Sequence, residues 1–565
     1  MDRSTRRQVD EYRRTEAGPI ENNLIDELVA GELDRQEFLR RATVFGLGAG
    51  TIGLLLRYVG EADVAYGAPA ASAQRVKRGG TLRVGLTTYS SSLEPYQLRE
   101  AGSLALAGIP GEYLTFSNNA LQVKPWLAVS WRPNSDLTVW TFQLRRGVKF
   151  HNGKTMTADD VVASFRQYLS ERTSQIYSAI PTSLLGPEGV VKRGPYTVEF
   201  RLKQPNNAFP YLVSQTTYQA IIQPAAIAAR PGSWVASKMI GTGAFRLKSL
   251  QPNRRAELVR FPQYWGGSPP LDGAILTFYE GTAPQVLALR AGQLDLCMQL
   301  SPQEAAPFQR NSRYKIFSAP TSAHRMFGLR VDRDPFRDAR VRRALALALN
   351  RPDLIQRLLL GFGTLGNDSP FWSRFPSTDP SIGQRKQNLE LARALLRAAG
   401  QENPKFTITT WRFADLPDYA AAIQAAGRQV GFDIDLEVMT ADDYYGGGAD
   451  YYATTPWLNR TATITEYGAR GVPNLFMTAA YMSDGIWNAS KYANPAFDAE
   501  ARRYLASADI ASQRAATKRM AGMLLRDTPV ITAYFITYVT AGSARVMNYQ
   551  AEGLSHIRIA KTWLA

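Results

Sequence analysis

Four short segments of this sequence place aromatic rings beside cationic or hydrogen-bonding side chains, a combination suited to holding an organic molecule. They are Thr88-Tyr89-Ser90-Ser91, Trp411-Arg412-Phe413, Trp457-Leu458-Asn459-Arg460, and Tyr467 with Arg470. Loops that follow strands carry binding residues more often than core positions do. We therefore predict eight ligand-binding residues, which are Tyr89, Ser90, Trp411, Arg412, Trp457, Asn459, Arg460 and Tyr467.

Arg412 and Arg460 suggest the chemistry of the bound group. A guanidinium can hold a carboxylate or a phosphate through two parallel hydrogen bonds, so an anionic ligand group is predicted. One alternative is that either arginine pairs with a structural acid, such as Asp415 near Arg412. Trp411 and Trp457 have an alternative of their own, which is burial in the core.

Motifs that would indicate catalysis are missing from the sequence. There is no G-x-S-x-G, H-E-x-x-H or Walker loop, and no glycine fingerprint of a dinucleotide site. The three histidines, His151, His324 and His556, are far apart, and Cys297 is the single cysteine. We predict that the chain is not an enzyme, that it carries no cofactor, and that it holds no metal through a histidine or cysteine cluster.

Length, composition and charge indicate a globular protein of more than one lobe. The chain has 565 residues, of which 45% are hydrophobic and 20% are charged. A single hydrophobic core usually serves up to about 250–300 residues, so at least two lobes are expected. Residues 1–73 carry a net charge of −3, which leaves +20 on the remainder of the +17 chain. Such a charge suits an anionic ligand or an acidic membrane face, or promotes solubility, and no nucleic-acid motif accompanies it.

The N-terminal 73 residues are predicted to be an export signal. The run from Val44 to Leu56 is apolar and uncharged, and it is shorter than the roughly 20 residues that a spanning helix needs. Ala71-Ser72-Ala73 offers small residues for cleavage, which would make Gln74 the first mature residue. Residues 34–40 resemble a twin-arginine motif, from which Gln36 departs. We predict a periplasmic protein, with an uncleaved signal that anchors it to the membrane as the alternative.

The remaining sequence predicts an α/β fold with a strand-rich first part and a helix-rich second part. Alternating apolar residues predict strands near residues 82–86, 140–144, 198–202 and 274–279. Capping patterns at Thr157 and Ser301 predict helix starts. Residues 406–438 read as a strand, a helix and a second strand, and such a unit has parallel strands. The strand-like run from Val530 to Thr540 is predicted to return to the first part.

Five segments, in order along residues 80–530, resemble the peptide/nickel-type extracellular solute-binding proteins (family 5) of ABC transporters. The segments are Pro125-Trp126-Leu127-Ala128 with residues 140–153, Gly241-Thr242-Gly243 with Tyr264-Trp265, residues 289–295, residues 335–345, and Trp487-Asn488 with residues 492–498. Most of these residues are turn formers or apolar side chains, so we expect them to build the scaffold rather than to contact ligand.

The resemblance implies a two-lobed periplasmic-binding-protein-like fold with a cleft between the lobes. Lobe I would comprise residues 74–118, 238–324 and 531–565, with an inserted subdomain at 119–237, and lobe II would comprise residues 325–530. Hinges would lie near residues 325–332 and near Pro529. The protein would be a monomer that captures a peptide-like, opine-like or other anionic solute and passes it to the permease subunits of an ABC importer. A sensor that presents the solute to a membrane receptor is the alternative.

One departure from the family concerns the ligand. Peptide binders of this family usually have an Asp shortly after a Trp, where it pairs with the α-amino group of the ligand. Trp457 is followed by Leu458-Asn459-Arg460-Thr461, without an Asp. This departure argues against ordinary recognition of a peptide N-terminus. Free nickel is not expected, because no histidine cluster is present, whereas a nickel chelate bound through its organic part stays open.

Overall fold

The structure is a computed structural model, and it describes residues 8–13, 17, 19–29, 38, 49–58, 76–98, 100–170, 180–181, 183–447 and 451–565. The chain divides into two compact units. The first unit is Met1–Val76 with Ala120–Gln122, and the second is Lys77–Asn119 with Val123–Ala565.

The first unit contains the helices Pro19–Val29 and Ala49–Tyr58 and a small apolar core. The second of these helices covers much of the predicted apolar run of the export signal. None of the helices described is long and apolar enough to cross a membrane. The predicted cleavage segment and Gln74 lie outside the described residues, as does Gln36.

The second unit holds all the strands described. They are β1 Thr81–Thr87, β2 Thr115–Ser117, β3 Val123–Pro125, β4 Ala128–Pro133, β5 Val139–Leu144, β6 Val190–Gly194, β7 Thr197–Arg201, β8 Phe245–Gln251, β9 Arg255–Arg260, β10 Gly273–Tyr279, β11 Leu296–Leu300, β12 Tyr314–Leu329, β13 Gly363–Leu365, β14 Lys405–Trp411, β15 Asp433–Met439, β16 Ala462–Tyr467, β17 Val530–Ile531, β18 Tyr534–Ser543, β19 Val546–Met547 and β20 Trp563–Leu564.

Helices surround these strands, and the second part of the unit is richer in them. The α-helices are Ala101–Ala107, Ala158–Leu169, Phe209–Leu212, Ala225–Ala228, Ser233–Ala236, Ala283–Arg290, Pro302–Gln309, Ala339–Ala348, Arg351–Leu359, Leu389–Ala398, Leu416–Arg428, Ala441–Tyr445, Tyr451–Thr454, Pro456–Asn459, Asn474–Phe476, Pro495–Leu505 and Ile510–Asp527. The predicted helix starts at Thr157 and Ser301 are confirmed, and at each the acidic residue three positions later accepts a hydrogen bond from the backbone N–H of the cap residue.

One large sheet runs through the second unit in the order β15-β14-β16-β12-β18-β11-β1-β10-β9-β8. We call the part from β18 to β8 lobe I and the part from β15 to β16 lobe II. A separate sheet, β4-β5-β7-β6, lies within the inserted segment predicted at residues 119–237. The fold is therefore α/β with two lobes, as the sequence predicted.

Two strands, β12 and β18, connect the lobes. The first half of β12 pairs with β18, from Tyr314 opposite Ser543 to Pro320 opposite Thr537. Its second half pairs with β16, from His324 opposite Tyr467 to Leu329 opposite Ala462. The register shifts between Pro320 and His324, where the strand passes from one lobe to the other. Strand β18 pairs with β11 and with the first half of β12, whereas β17 pairs with the second half of β12, so the assignment of residues 531–565 to lobe I stays a prediction.

Lobe II contains the predicted β-α-β unit. Strands β14 and β15 are parallel along their whole length, and the helix Leu416–Arg428 connects them. Strand β16 also runs parallel to β14, with Ile408 opposite Ala462. The carboxyl ends of β14, β15 and β16 therefore meet at one edge of the sheet. In open α/β sheets, ligands bind at such an edge.

The family-like motifs of lobe I converge on one buried carboxylate, that of Glu112. Trp126 Nε1 and the Tyr264 hydroxyl each donate to Glu112 Oε1 at 2.9 Å. Thr242 Oγ1 and Trp265 Nε1 donate to Oε2 at 2.7 and 2.8 Å. Gly241 lets this loop approach closely, since a Cβ there would lie 2.0 Å from the carbonyl oxygen of Pro110. These motif residues hold the scaffold together.

Candidate functional site

The edge where β14 and β16 end carries a charged cross-strand pair. Arg325 on β12 lies directly opposite Glu466 on β16, so both side chains project from the same face of the sheet. Further along this face, Phe327 and Ile464 continue into the apolar core of lobe II. The charged pair therefore stands where the core of lobe II ends and the junction with lobe I begins.

Arg325 forms its ion pair with Asp415 rather than with Glu466. Its Nε donates to Asp415 Oδ1 at 2.9 Å, and both side chains are nearly buried. The hydroxyl of Tyr534, on β18, donates to Asp415 Oδ2. Burial tends to raise the pKa of Asp415, but the charge and hydrogen bonds of Arg325 and the Tyr534 hydroxyl lower it overall. The group of three formed by Arg325, Asp415 and Glu466 thus has one cation for two carboxyl groups.

Glu466 is only partly satisfied by hydrogen bonds. Trp411 Nε1 and the Tyr445 hydroxyl both donate to Oε2, at 2.9 and 3.0 Å, and no side chain among the described residues donates to Oε1. Burial raises the pKa of Glu466, and the Trp411 hydrogen bond and the charge of Arg325 offset part of this rise. The side chain nevertheless keeps accessible surface. Glu466 is therefore removed from bulk water but is not sealed by protein.

Aromatic rings form a wall next to Glu466. Trp411 and Phe413 stack with ring centroids 4.7 Å apart and an interplanar angle of 11°. Tyr445 packs edge-on against Trp411 at 5.6 Å and against Trp457 at 5.8 Å. Phe413 is 42% exposed, although its ring lies 5.8 Å from Arg325 Cζ. The wall thus offers a stacked aromatic pair with one open face.

Arg470 lies on the segment that follows β16, at the contact with the other parts of the second unit. Its backbone exchanges two hydrogen bonds of 2.7 Å with Ser322 Oγ of β12. Its Nη1 donates to the Tyr218 hydroxyl at 3.0 Å and to the carbonyl oxygen of Ala469 at 2.8 Å. Its Nε is buried and lacks a hydrogen-bond partner, and no carboxylate of the described residues forms an ion pair with Arg470. The partly exposed guanidinium of Arg470 therefore has neutral acceptors and no carboxylate partner among the described residues.

Tyr538 of β18 lies within electrostatic range of both Glu466 and Arg470. Burial raises the pKa of Tyr538 to about 12, and four neighbours modulate it, with Tyr218 and Glu466 raising it and Arg325 and Arg470 lowering it. The Tyr538 side chain keeps accessible surface and packs in the small cluster of Ala323, Ala469 and Leu554. We call the set Tyr218, Arg325, Glu466, Arg470 and Tyr538 the junction site. Lobe I, lobe II and the inserted segment all contribute to it.

Three of the eight predicted residues lie on or near the helix Pro456–Asn459. Trp457 is 5% exposed and packs in a core cluster of lobe II. The Asn459 side chain donates to the carbonyl oxygens of Tyr452 and Thr455, both at 3.0 Å. Arg460 forms an ion pair with Glu437 of β15 at 3.2 Å, and both side chains are substantially exposed. Each of these residues has a structural partner, and their contact with ligand remains a prediction.

Trp411, Arg412 and Tyr467 follow the carboxyl ends of β14 and β16. Trp411 belongs to the wall beside Glu466. Arg412 is exposed, and Asp415, its partner in the alternative reading, pairs with Arg325 instead. Tyr467 is 7% exposed, stacks on Trp487 at 5.7 Å, and has a hydroxyl without a hydrogen-bond partner.

Tyr89 and Ser90 lie elsewhere, in an open recess of lobe I of about 490 Å³. The backbone of Tyr89 exchanges hydrogen bonds with the Asn253 side chain at 2.8 and 2.9 Å. Ser90 Oγ donates to Glu100 Oε1 at 2.5 Å. Every residue lining this recess comes from lobe I. No hydrogen bond or ring contact described joins Tyr89 or Ser90 to the junction site.

The three histidines occupy separate positions, of which those of His324 and His556 are buried and that of His151 is partly buried. His151 Nε2 lies 2.9 Å from the Gly243 carbonyl oxygen, His324 Nδ1 lies 2.9 Å from that of Ser322, and His556 Nε2 lies 3.0 Å from the Tyr113 hydroxyl. Burial lowers the pKa of each to about 4, so all three are neutral at pH 7. The described residues contain no group of three or more His, Cys, Asp or Glu side chains placed to hold a metal ion.

The sequence prediction missed Glu466, Tyr218 and Tyr538, and it named Arg325 only as the start of a hinge. Glu466 had a usable signal, since it is an acid directly before Tyr467, which was itself predicted to bind ligand. Tyr218 and Tyr538 had none, because their sequence neighbours do not distinguish them from core tyrosines.

Comparison with known proteins identifies related chains. A family model described as bacterial extracellular solute-binding proteins, family 5 Middle, matches residues 122–469. The nickel-binding protein NikA of Staphylococcus aureus is 25% identical over 482 residues, which are 84% of this chain and 91% of the relative. The periplasmic oligopeptide-binding protein OppA of Haemophilus influenzae is 26% identical over 461 residues, covering 75% of this chain and 82% of the relative.

A solved structure has the same fold. The ABC transporter-associated periplasmic binding protein DppA from Helicobacter pylori, in complex with the peptide STSA, superposes with a TM-score of 0.69. The sequences are 22% identical, and the match covers 86% of this chain and 98% of the other.

Proposed function

The chain belongs to family 5 of the bacterial extracellular solute-binding proteins, and from this premise we propose that it captures an anionic organic solute at the junction site and delivers it to an ABC importer. Closure of the two lobes around the solute would accompany capture, as a shift between open and closed populations. The curated relatives are named as binding proteins for nickel, oligopeptides or glutathione. None of these names favours the sensor alternative.

The guanidinium of Arg470, which has no carboxylate partner among the described residues, carries the proposal of an anionic solute. A partly buried charge without a counter-ion is costly unless something pairs with it. The nearly buried Arg325 and Arg351 both have carboxylate partners, Asp415 and Asp368, whereas Arg470 has only neutral acceptors. A carboxylate or phosphate that enters between Tyr218 and β18 would supply the missing partner and could engage the Arg470 guanidinium through two parallel hydrogen bonds.

The position of Arg470 also relates binding to the two lobes. Its backbone is bonded to Ser322 on β12, and its side chain reaches Tyr218 of the inserted segment. A solute held there would contact lobe II, the crossing strands and the insert together. Such a solute would stabilise the conformation in which lobe II, the crossing strands and the insert lie together. Closure requires this, because a ligand shifts an equilibrium only when it binds one of the two conformations more tightly.

Export and delivery complete the proposal. The N-terminal segment would direct the chain out of the cytoplasm, and the protein would act as a monomer outside the membrane. It would present the bound solute to the permease subunits of the importer. We propose no enzymatic role, because the junction site lacks a nucleophile beside a general base.

A solute screen on the chain from Gln74 tests this function. Native mass spectrometry would detect a carried-over solute, and thermal shifts would be measured with peptides, opines, sugars and metal chelates. A ligand at 100 times its dissociation constant stabilises the fold by about 2.7 kcal/mol. We expect stabilisation by at least one solute that carries a carboxylate or phosphate. Stabilisation by neutral sugars alone would contradict the anionic class, and silence across the screen would count against solute capture itself.

A further inference from the structure

We propose that the first unit covers the export signal of its own chain. The helix Ala49–Tyr58, which we call the signal helix, carries much of the predicted apolar run and packs inside this unit. The unit would therefore withhold the signal helix from the membrane until the unit opens. This inference rests on the export part of the proposed function and assigns a task to the residues that precede the apolar run.

Three helical segments of the first unit each carry an apolar face, marked by residues three or four positions apart. These faces meet in one core, which also includes Phe38. Tyr12 is partly buried, and the other members are buried. The apolar face of the signal helix therefore lies against other segments of its own unit. The residues are Ile52, Leu55 and Leu56 in the signal helix, Ile25 and Leu28 in the helix Pro19–Val29, and Val9 and Tyr12 in residues 8–13.

A set of polar contacts joins the two segments that precede the signal helix. Arg13 Nε donates to Asn22 Oδ1 at 3.0 Å, and Arg13 Nη2 donates to Asp26 Oδ1 at 2.6 Å. The Asn22 amide donates in turn to the carbonyl oxygen of Ala17 at 3.3 Å. Because these bonds hold the two segments together, their apolar residues are held as one surface against the signal helix.

Packing in the unit and insertion into a membrane are alternatives for the same apolar face. Both remove the face from water, and the hydrophobic effect depends on the area removed rather than on what covers it. The affinity of the signal helix for a membrane is then reduced in proportion to the fraction of chains in which the unit is open. A change that opens the unit, with the signal helix itself unaltered, should therefore raise membrane binding.

The order of synthesis gives this cover a time in which to act. Residues Met1–Val76 leave the ribosome before the second unit, and domains fold as units in that order. At about 5–20 residues per second, the second unit takes some tens of seconds to follow. A covered signal helix would not contact the membrane during that time, so the second unit has that time to fold.

Hydrogen exchange on the full chain tests whether the signal helix is covered. A helix of 10 residues is marginal in water on its own, so protection of its amides requires packing. We expect these amides to exchange at least about tenfold more slowly than in an unstructured chain. In Ile25→Asp this protection should be lost, because Ile25 is fully buried in the shared core and a charge there would be unpaired.

Val29→Asp is the matched control. It makes the same kind of change on the same helix, at a residue that is 50% exposed, so the core should stay closed. Arg13→Met is a second opening variant that leaves every apolar residue in place. It should weaken the protection of the signal helix in the same direction but by less, because only the hydrogen bonds to Asn22 and Asp26 are lost.

Flotation with vesicles measures release of the signal helix. Phosphatidylcholine vesicles carry no net charge, so the net charge of +17 on the chain does not drive binding. We expect the wild type and Val29→Asp to stay mostly in solution and Ile25→Asp to bind at least about tenfold more tightly. The chain from Gln74, which lacks the signal helix, should stay in solution and thereby show that binding requires the first unit.

Three results would overturn the inference. One is exchange of the signal helix in the wild type at the rate of an unstructured chain. Another is equal vesicle binding by the wild type and Ile25→Asp. The third is equal binding by Ile25→Asp and Val29→Asp, which would show that the added charge acts rather than the opened core. If Ile25→Asp cannot be purified, exchange in the wild type and in Arg13→Met decides.

These outcomes are independent of solute capture. The solute screen uses the chain from Gln74, which lacks the signal helix, so a failed screen leaves the exchange and flotation results intact. An uncovered signal helix would likewise leave the screen as the test of solute capture.

Discussion

A buried glutamate of lobe I and a partly buried glutamate of lobe II accept hydrogen bonds from the same kinds of donor but differ in how many they accept. Glu112 of lobe I accepts four hydrogen bonds, two on each oxygen, from two indoles and two hydroxyls. Glu466 of lobe II accepts from one indole and one hydroxyl, both on the same oxygen. Burial raises the pKa of both carboxyl groups. The difference is that both oxygens of Glu112 accept hydrogen bonds from side chains, whereas only one oxygen of Glu466 does.

Glu112 belongs to the scaffold, and Glu466 belongs to the candidate site. Glu112 fixes three segments of lobe I to one another, and the cavity beside it, of about 60 Å³, has room for no more than a few waters. Glu466 stands at the carboxyl edge of β16, next to the crossing strands and an exposed aromatic face. A carboxylate whose oxygens all accept hydrogen bonds from the protein stabilises the fold. A carboxylate with an oxygen that accepts none can accept a hydrogen bond from a ligand.

The largest effect is expected at Asp415, which neutralises Arg325 beside Glu466. Asp415→Asn would leave a nearly buried guanidinium unpaired, and such a loss costs about 3–5 kcal/mol. The pKa of Asp415 is lowered in the fold, so its contribution is present above the unfolded pKa and is lost as the pH falls through the folded one. Chemical denaturation at pH 7 and at pH 3 would measure this. An equal loss at both pH values would contradict it.

A smaller loss is expected at Glu112. Glu112→Gln keeps the shape but replaces one accepting oxygen by an amide nitrogen, which faces the donors Thr242 and Trp265 or the other pair. Leaving such buried donors unsatisfied costs about 2–3 kcal/mol. Urea denaturation would record a lower midpoint with an unchanged slope. A midpoint equal to that of the wild type would remove the contrast with Glu466.

The opposite sign is expected at Glu466 without ligand. Glu466→Gln should keep or slightly raise the unfolding temperature at pH 7, because it removes a carboxylate that burial disfavours. The raised pKa of Glu466 means that its contribution to stability is present below the unfolded pKa and is lost as the pH rises through the folded one. The advantage of Gln should therefore fade as the pH approaches about 4.

The groups facing Glu466 do not mimic this pH dependence. The pKa of Arg325 is raised, so its guanidinium stays charged, the pKa of Tyr445 is raised well above its usual value, and the pKa of Asp415 is lowered. Thermal unfolding of the two proteins between pH 4 and pH 8 measures the difference. A difference that does not change across this range would show that Glu466 does not titrate there.

The smallest effect is expected at Arg460, whose ion pair with Glu437 is exposed. Surface pairs contribute little, so Arg460→Met should change the unfolding free energy by less than about 1 kcal/mol. Its effect on solute binding sharpens the comparison with Arg470. If Arg460→Met abolishes binding while Arg470→Met does not, the predicted arginine clamp is at residue 460 and the junction site is wrong.

Much of the scaffold could be predicted from local sequence patterns. The alternation Leu82, Val84, Leu86 gave β1, and the caps at Thr157 and Ser301 gave helix starts, because strand period and capping depend on nearby residues. The strand-like run from Val530 to Thr540 was also predictable, because its residue pattern differs from that of the helices before it, and β17 and β18 cover most of it. The order of motifs supplied the two-lobed architecture.

The site was harder, because its charges are balanced by residues that are distant in sequence. The alternative reading paired Asp415 with Arg412, its neighbour in sequence, whereas Asp415 pairs with Arg325 across the sheet. Arg460 meets Glu437 of β15, a partner that only the strand order brings near. Whether a charge is compensated depends on tertiary pairing, which local patterns do not encode.

The most direct test of the account is the thermal shift of the wild-type chain and of Arg470→Met across the same solute screen. The account predicts that a carboxylate- or phosphate-bearing solute raises the unfolding temperature of the wild type by several degrees. It also predicts that the same solute leaves Arg470→Met unshifted while Arg357→Met, a control whose ion pair with Asp353 is exposed, responds fully. A solute that stabilises the wild type and Arg470→Met equally would contradict the claim that the guanidinium of Arg470 at the junction of the lobes captures the ligand.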